Sequence, residues 1–231
     1  MMYYASGVSQ RRLAINLRVN RKTIVRKFEF LAKWAELFSK ADLNNFAPAT
    51  DVLIDELETF EHTRLKPLSV LVAIEKGRRI LGFTIAQHPA RGPKAAFSRV
   101  KYGPRRDTRR GAREKLFEEL SPHISPHAEV CSDLCPHYGP SIRKFFPEAT
   151  HKVFKGRKAA VIGQGELKVG GFDPLFDINH TLAMLRANVN RLFRRTWNTT
   201  KKAQRLHQHL AIYVLFHNWK LVNPMPNAII V

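Results

Sequence analysis

Apolar residues recur at helical spacing near both ends of the chain and alternate with polar residues in its middle. Leu13 and Leu17 lie one turn apart after Ser9, a residue type that caps helices, and this pattern predicts a first helix. Asn20 can cap a second helix, whose apolar positions repeat to about Leu37. The chain is therefore expected to open with two helices joined by a tight turn.

The middle of the chain has the alternating pattern of strands. Three strand-like runs follow a polar linker: VLIDELETF, LSVLVAIEK and ILGFTIAQ, the last two joined by a KGRR turn. Later segments predict a helix (RRGAREKLFEEL), a strand (AEVCSDL), a short helix (YGPSIRKFF) and a strand (THKVFKG). The Gly-rich segment KAAVIGQGELKVGGFDP predicts a loop, and two long helical patterns cover residues 178–197 and 201–219. This order predicts an α/β fold, a mixed sheet flanked by helices.

Length and composition bound the domain organisation. The 231 residues, 44% of them hydrophobic, suffice for one sizeable domain and a small appendage. We predict a helix–turn–helix module over residues 1–40, a linker over 41–50, the α/β domain over 51–222 and an irregular tail over 223–231. No apolar run is long enough to span a membrane, no segment resembles a signal peptide, and two cysteines make no disulfide framework. These features predict a cytoplasmic protein without a membrane partner.

Positive charge is the strongest compositional signal. The chain has 39 Lys and Arg against 19 Asp and Glu, a formal net charge of +20, which indicates a polyanionic partner such as nucleic acid. In a helix–turn–helix, the start of the second helix meets base edges and basic flanks hold phosphates. The side chains expected to face DNA are Arg11, Arg12, Arg21, Lys22, Thr23, Arg26 and Lys27. The alternative is a solvated helical hairpin that only begins the fold.

Two aspartates are candidates for metal chemistry. Asp55 lies in an acidic segment, residues 51–61, whose mutual repulsion requires a bound cation or neighbouring arginines; Asp133 ends the strand AEVCSDL. Phosphodiester cleavage with two metal ions needs several carboxylates that hold the ions about 4 Å apart. The alternatives are an arginine-paired surface acid for Asp55, and a turn or helix N-cap residue for Asp133.

The chain resembles the DDE-type transposases of bacterial insertion sequences. The motifs that carry the resemblance are GVSQRRLAINLRVNRKTIVRKF, IDELETFEH, VCSDLCPHY and INHTLAMLRANVNRLFRRTWNTTKK, which together extend over nearly the whole chain. The resemblance implies a helix–turn–helix followed by an RNase H-like catalytic core that cleaves element ends and transfers strands with Mg²⁺ or Mn²⁺. It gives Asp55 and Asp133 the positions of the first two catalytic acids.

The third acid of that family is replaced in this chain. The resemblance places it at Asn179, followed by His180, and no Asp or Glu occurs after Asp177. An amide oxygen suits Mg²⁺ and an imidazole nitrogen suits Mn²⁺, so we expect Asn179 as the third ligand, His180 as the next candidate and Asp177 after them. A helix N-cap for Asn179 and a surface position for His180 are the alternatives. The Cys-rich zinc ribbon of many relatives is also missing, and Cys131 and Cys135 are expected only to pack.

The resemblance also predicts partners. Element ends and target DNA are double-stranded, and Arg186, Arg191, Arg194 and Arg195 are expected to steer a strand into the site. Such proteins join two ends, so a homo-oligomer on DNA, associated with the bacterial nucleoid, is expected. The alternative function is that of a decayed transposase that acts as a DNA-binding regulator. The replacement of the third acid favours this alternative. A nuclease acting on RNA is disfavoured, because a helix–turn–helix reads the major groove of B-form DNA.

Overall fold

The architecture was obtained as a computed structural model that describes residues 1–156, 159–161, 164–168, 170–193 and 198–222. The helices are α1 (Gln10–Asn16), α2 (Arg21–Leu43), α3 (Lys94–Tyr102), α4 (Arg109–Leu120), α5 (Tyr138–Phe145), α6 (Phe176–Asn188) and α7 (Ala203–Phe216). The strands are β1 (Ala49–Phe60), β2 (Pro67–Glu75), β3 (Ile80–Gln87), β4 (Ile124–Asp133), β5 (Thr150–Phe154), β6 (Ala159–Val161) and β7 (Gln164–Lys168). Three 3-10 turns, Met2–Ser6, Ser121–His123 and Asn190–Leu192, and a π-helical segment, His217–Val222, complete the described elements.

Five strands form one mixed sheet in the order β3-β2-β1-β4-β5. Strands β1, β2 and β3 pair antiparallel, as consecutive strands joined by short turns do, whereas β4 and β5 run parallel to β1. The parallel strands are reached through helices, which a parallel crossover requires. The predicted α/β class, with a mixed sheet flanked by helices, is confirmed. Strands β6 and β7 make a separate hairpin.

Each face of the sheet is covered by helices. Leu53 and Leu57 of β1 face α6 and α7, where Leu182 is among the residues that bury them. The alternate side chains of β1, such as Ile54, face α4 and α5, where Phe117 is among the buried residues. Because side chains alternate along a strand, β1 separates two hydrophobic layers and is buried on both sides.

The two N-terminal helices begin at the predicted caps. The Ser9 hydroxyl accepts a hydrogen bond from the Arg12 backbone N–H at 3.2 Å, and the Asn20 side chain accepts one from the Lys22 N–H at 2.8 Å. Leu17, in contrast, is 47% exposed and does not pack as the helical pattern predicted. Helix α2 also continues to Leu43, beyond the predicted end near Leu37, although its last buried position is Ala35.

The N-terminal elements share a hydrophobic core with α7. Tyr4, Leu13, Ile24 and Phe28 belong to the same buried cluster as Ile212 of α7. The Tyr4 hydroxyl donates to the carbonyl of Ile24 at 3.1 Å, which ties the first turn to α2. The connection from this layer to β1 consists of residues 44–48.

Three segments differ from the pattern-based prediction. Helix α3 was not predicted, because its large apolar residues Phe97 and Val100 are 59% and 88% exposed and trace no buried stripe. The Gly-rich segment predicted as a loop contains β6 and β7. Helix α6 ends at Asn188, although the apolar pattern continues, because the Gly7 N–H donates to the Asn188 carbonyl at 2.7 Å and thereby caps the helix from outside.

Candidate functional site

Asp55 and Asp133 lie side by side on neighbouring parallel strands. The register of β1 and β4 pairs Ile54 with Ser132, so the next residue on each strand is one of the two aspartates. Adjacent strands run about 4.8 Å apart, so two side chains that leave the same face at this level start within reach of one shared ion. The fold thus brings Asp55 and Asp133, which are 78 positions apart in the sequence, to neighbouring positions in the sheet.

Both aspartates point to the sheet face that carries α6 and α7. Leu53, Leu57 and Cys131 pack in the hydrophobic layer on that face. Asp55 lies two positions from each of the two leucines and Asp133 lies two positions after Cys131, so both aspartates share their face of the sheet. The cross-strand row at this level reads Phe83, Val72, Asp55, Asp133 and Phe154 from edge to edge. Two partly buried carboxylates therefore interrupt an otherwise apolar row. Neighbouring carboxylates in a partly buried position concentrate at functional sites.

The hydrogen bonds of Asp133 leave one of its carboxylate oxygens available as an acceptor. One Asp55 oxygen accepts the backbone N–H of Glu56 at 2.7 Å. One Asp133 oxygen accepts the Cys135 N–H at 3.0 Å, the bond of the turn-forming role considered as its alternative. The other Asp133 oxygen accepts no hydrogen bond from any residue in the described ranges. A turn-forming aspartate can thus still offer one oxygen to a cation.

The negative charge of these acids contributes to raised pKa values at two neighbouring groups, the Tyr138 hydroxyl and the Cys135 thiol. Burial raises the pKa of the Tyr138 hydroxyl well above its usual range, and the charges of Glu56, Asp55 and Asp133 raise it further. Burial likewise raises the pKa of the Cys135 thiol, to which Asp133 and Glu56 contribute. The charges of three carboxylates, two on one face of the sheet and one on the other, therefore contribute to the electrostatic potential at the start of α5.

Glu56 belongs to the opposite face of the sheet. Its carboxylate accepts the Ser69 hydroxyl at 2.6 Å and lies 4.0 Å from the Arg113 guanidinium. A second glutamate of the acidic segment, Glu58, lies 3.9 Å from Arg91. Arginines therefore offset at least part of the repulsion in residues 51–61, as one of the two sequence-based alternatives proposed.

The residues predicted for the third ligand sit at the start of α6. Asn179 is buried, 6% exposed, and its amide donates to Asp173 at 2.8 Å. A helix N-cap role for Asn179 is wrong, since α6 begins at Phe176. His180 lies 3.1 Å from an Arg78 guanidinium nitrogen, and burial together with that charge lowers its pKa. In the part of the chain that the structure describes, neither side chain hydrogen-bonds to Asp55 or Asp133.

Asp177 belongs to a different cleft. Its carboxylate accepts the Gly77 N–H at 2.9 Å, which fixes the start of α6 to the β2–β3 turn. It lines a cleft with Asp51, four residues before Asp55 on β1 and therefore about 13 Å along the strand. Within the described ranges, no three His, Cys, Asp or Glu side chains converge to hold a metal. A site at Asp55 and Asp133 would need an amide, water or phosphate oxygen as further ligands.

The predicted DNA-facing side chains of α1 and α2 are all exposed. They are Arg11, Arg12, Arg21, Lys22, Thr23, Arg26 and Lys27. Among the basic residues of the C-terminal part, Arg186 donates to the Glu58 carbonyl at 3.1 Å and thus lies over β1. Arg191 faces Phe28 and His209 instead, and Arg194 and Arg195 lie outside the described residues.

Sequence reasoning missed the surroundings of Arg191. His209, which the sequence did not single out, is 2% exposed and lies beside Arg191 in a small cavity. A lone histidine on an apolar helix face was the available signal, and its partner could not be identified from sequence spacing.

Comparison with protein-family models and with curated proteins gave no match for this chain. In the portion of the chain that the structure describes, no helix is both long and apolar enough to cross a bilayer. The functional assignment therefore depends on the geometry of the side chains themselves.

Proposed function

We propose that the protein is a metal-dependent DNA transposase of the DDE type, which binds the ends of a bacterial mobile element, cleaves them and transfers the strands. The observation that carries the proposal is the pairing of Asp55 with Asp133 on one face of adjacent parallel strands. Carboxylates at this spacing suit Mg²⁺ or Mn²⁺.

The strand order supports an RNase H-like core. The sheet β3-β2-β1-β4-β5, with three antiparallel strands followed by two parallel ones, is compatible with that fold. The fold alone assigns no activity, because one architecture hosts many functions. The two acids on β1 and β4 are the feature that supports a nuclease or a transferase in particular.

The basic N-terminal helices support double-stranded DNA as the partner. Their exposed cations face solvent, and only the apolar side chains between them enter the core shared with α7. We propose that α1 and α2 act as a helix–turn–helix, with the start of α2 in the major groove. A homo-oligomer on DNA, in a nucleoid-associated cytoplasmic protein, follows from the same proposal.

The residues present fit a divalent ion, since two carboxylates on adjacent strands leave the same face of the sheet within an otherwise apolar row. Asp55 and Asp133 would hold it, and the Asn179 side-chain oxygen is the proposed third ligand, as the family resemblance implies. A bound ion would polarise the scissile phosphodiester and lower the pKa of the attacking water. The hydrophobic layer formed with α6 would limit the access of water to the site.

Cleavage of an end oligonucleotide tests the proposal. The oligonucleotide sequence is taken from inverted repeats, where these are found on both sides of the gene, and Mn²⁺-supported nicking is followed on a gel. Asp55→Asn and Asp133→Asn should each abolish nicking while DNA binding persists, whereas Asp51→Asn, on the same strand but in another cleft, should retain both. Nicking by either site variant at the wild-type rate would remove the catalytic assignment.

A second candidate is a decayed transposase that binds DNA as a regulator. The observation that favours it is that asparagine replaces the third acid at position 179 and donates its amide to Asp173 rather than to the aspartate pair. Specific binding to the inverted repeats with no nicking in Mg²⁺ or Mn²⁺ would establish this candidate over the first.

A further inference from the structure

Helix α3 (Lys94–Tyr102) is attached to the rest of the molecule along one side only. Ser98 is the buried residue of this helix, and its hydroxyl donates to the Leu65 carbonyl at 2.6 Å. Large apolar side chains on the other side face solvent, since Phe97 is 59% exposed and Val100 is 88% exposed. These two residues lie three positions apart and therefore share one face of the helix. The helix thus presents an apolar face to the surroundings of the protein.

Two lysines flank Phe97 along this face. Lys94 lies three positions before Phe97 and Lys101 lies four positions after it, and both lysines are exposed. At 1.5 Å per residue, the lysines are about 10 Å apart along the helix axis, a separation that straddles a DNA minor groove about 6 Å wide. The phenylalanine therefore stands between two cations that can each reach a phosphate on one side of such a groove.

The segment around α3 is uniformly basic. Residues 89–106 contain no Asp or Glu and six basic residues, Arg91, Lys94, Arg99, Lys101, Arg105 and Arg106. This charge favours a polyanionic partner. Double-stranded DNA combines a polyanionic backbone with an apolar stack of bases, and proteins that bind its minor groove insert apolar side chains between base steps. The charge and the apolar face of α3 are together complementary to such a partner.

The segment that carries α3 is fixed at the end of the sheet where the two aspartates lie. The Arg91 guanidinium lies 3.9 Å from the carboxylate of Glu58, which is three residues after Asp55 on β1. Leu65, whose carbonyl holds Ser98, belongs to the connection between β1 and β2. DNA held by α3 would therefore pass the end of β1 that carries Asp55.

We infer that α3 is a wedge that inserts the Phe97 ring into a base step of bound DNA from the minor groove, with Val100 beside it and Lys94 and Lys101 on the flanking phosphates. The inserted ring unstacks the step and kinks the duplex. The inference rests on the proposed function only in that double-stranded DNA is the partner, and it does not involve the metal site.

An anionic membrane has the same sign of charge as DNA and is the less suitable partner. Phe97 and Val100, on a helix of nine residues, offer less apolar surface than one myristoyl chain. A single myristoyl chain gives only marginal membrane binding. One base step, in contrast, accommodates one aromatic ring, so the size of the apolar face fits DNA better.

Binding to a matched duplex and to the same duplex with one central mismatch tests the insertion. Measurements in EDTA prevent metal-dependent cleavage. A mismatched base is extruded from the stack at lower cost, so the wild type should bind the mismatched duplex at least about tenfold more tightly in fluorescence anisotropy. Energy transfer between dyes at the two ends of the duplex should rise on binding, because the wedge kinks DNA by roughly 20–90°.

Variants at position 97 separate the ring from the charge. Phe97→Ala should bind both duplexes with equal affinity and give a smaller rise in energy transfer, while Phe97→Trp should keep both effects. Replacement of Lys94 and Lys101 by Gln should reduce the slope of log K against log salt by about 2, one for each phosphate, whereas Phe97→Ala should leave the slope unchanged. Phe172→Ala, which removes a phenylalanine that is 89% exposed before α6, should behave as the wild type. Circular dichroism verifies that each variant is folded.

The outcomes distinguish the wedge from the proposed function. Equal affinity of the wild type for the two duplexes, or an unchanged mismatch preference in Phe97→Ala, would overturn the wedge. Phe97-dependent sedimentation with phosphatidylglycerol vesicles, without a mismatch preference, would assign α3 to a membrane instead. Asp55→Asn should keep the mismatch preference, so a preference without nicking would contradict the catalytic proposal alone. Failure of the wild type to bind either duplex would contradict the proposed function and, with it, the wedge.

Discussion

Phe28 is the residue whose truncation best tests how the N-terminal helices are attached. Its side chain is 1% exposed, and its ring makes edge-on contacts with Tyr4 at 5.2 Å and His209 at 5.7 Å between centroids. Truncation of a buried phenylalanine to alanine costs about 3–5 kcal/mol. Because two aromatic contacts are lost together, we expect Phe28→Ala to lower the free energy of unfolding by about 4 kcal/mol.

The matched control is Phe30→Ala, two positions further along α2. Its ring is 62% exposed and lies near Lys27 on the solvent side, so the expected loss is below about 1 kcal/mol. Urea unfolding followed by circular dichroism measures both variants against the wild type. Because the N-terminal layer and α7 share one hydrophobic cluster, the wild type should unfold in one transition.

Two results would contradict this reasoning. One is a loss below about 1 kcal/mol for Phe28→Ala, which is the size of a surface effect. The other is a separate early transition for the N-terminal helices, which would mean that residues 1–40 fold as an independent module.

Three further predictions concern pH, salt and the start of α6. The pKa of His209 is about 4 in the folded state against 6.5 in the unfolded state, so the folded state binds fewer protons between these values. Acid unfolding should therefore show about 3 kcal/mol of stability that is present above pH 6.5 and is lost as the pH falls towards 4. The His209→Gln variant should lack this loss. If the protein binds DNA as proposed, Arg26→Ala should reduce the slope of log K against log salt by about 1 in fluorescence anisotropy, and an unchanged slope would remove Arg26 from the phosphate contacts. Asp177→Ala should lower the free energy of unfolding in urea by about 1 kcal/mol, because its hydrogen bond with the Gly77 N–H is lost. Mn²⁺ binding, measured by calorimetry, should stay as in the wild type. Loss of Mn²⁺ binding in this variant would instead make Asp177 a ligand.

Local patterns were sufficient to predict much of the fold. Ser9 and Asn20 cap their helices because each side chain bonds to a backbone N–H a few residues away, an effect that sequence spacing describes directly. The alternation in β1 and the KGRR turn are local in the same sense. Helix α3 was missed because Phe97 and Val100 face solvent, and the end of α6 was missed because its cap comes from Gly7, far away in the sequence.

The candidate site was predictable only in part for the same reason. Asp55 and Asp133 could be named because each ends or interrupts an apolar run, but their adjacency depends on the β1–β4 register. The bond between Asn179 and Asp173 joins two residues whose relation no periodicity describes. The cavity at Arg191 and His209 was not predicted, because it forms where the N-terminal turn meets α7.

The central claim is that Asp55 and Asp133 jointly hold a divalent ion. Electron paramagnetic resonance of Mn²⁺ measures it directly, since bound ion loses the sharp signal of free ion in a titration of the protein. The account predicts a saturable site in the wild type and in Asp51→Asn, and its loss in both Asp55→Asn and Asp133→Asn. Equal Mn²⁺ binding by the wild type and by the Asp55→Asn and Asp133→Asn variants would contradict it.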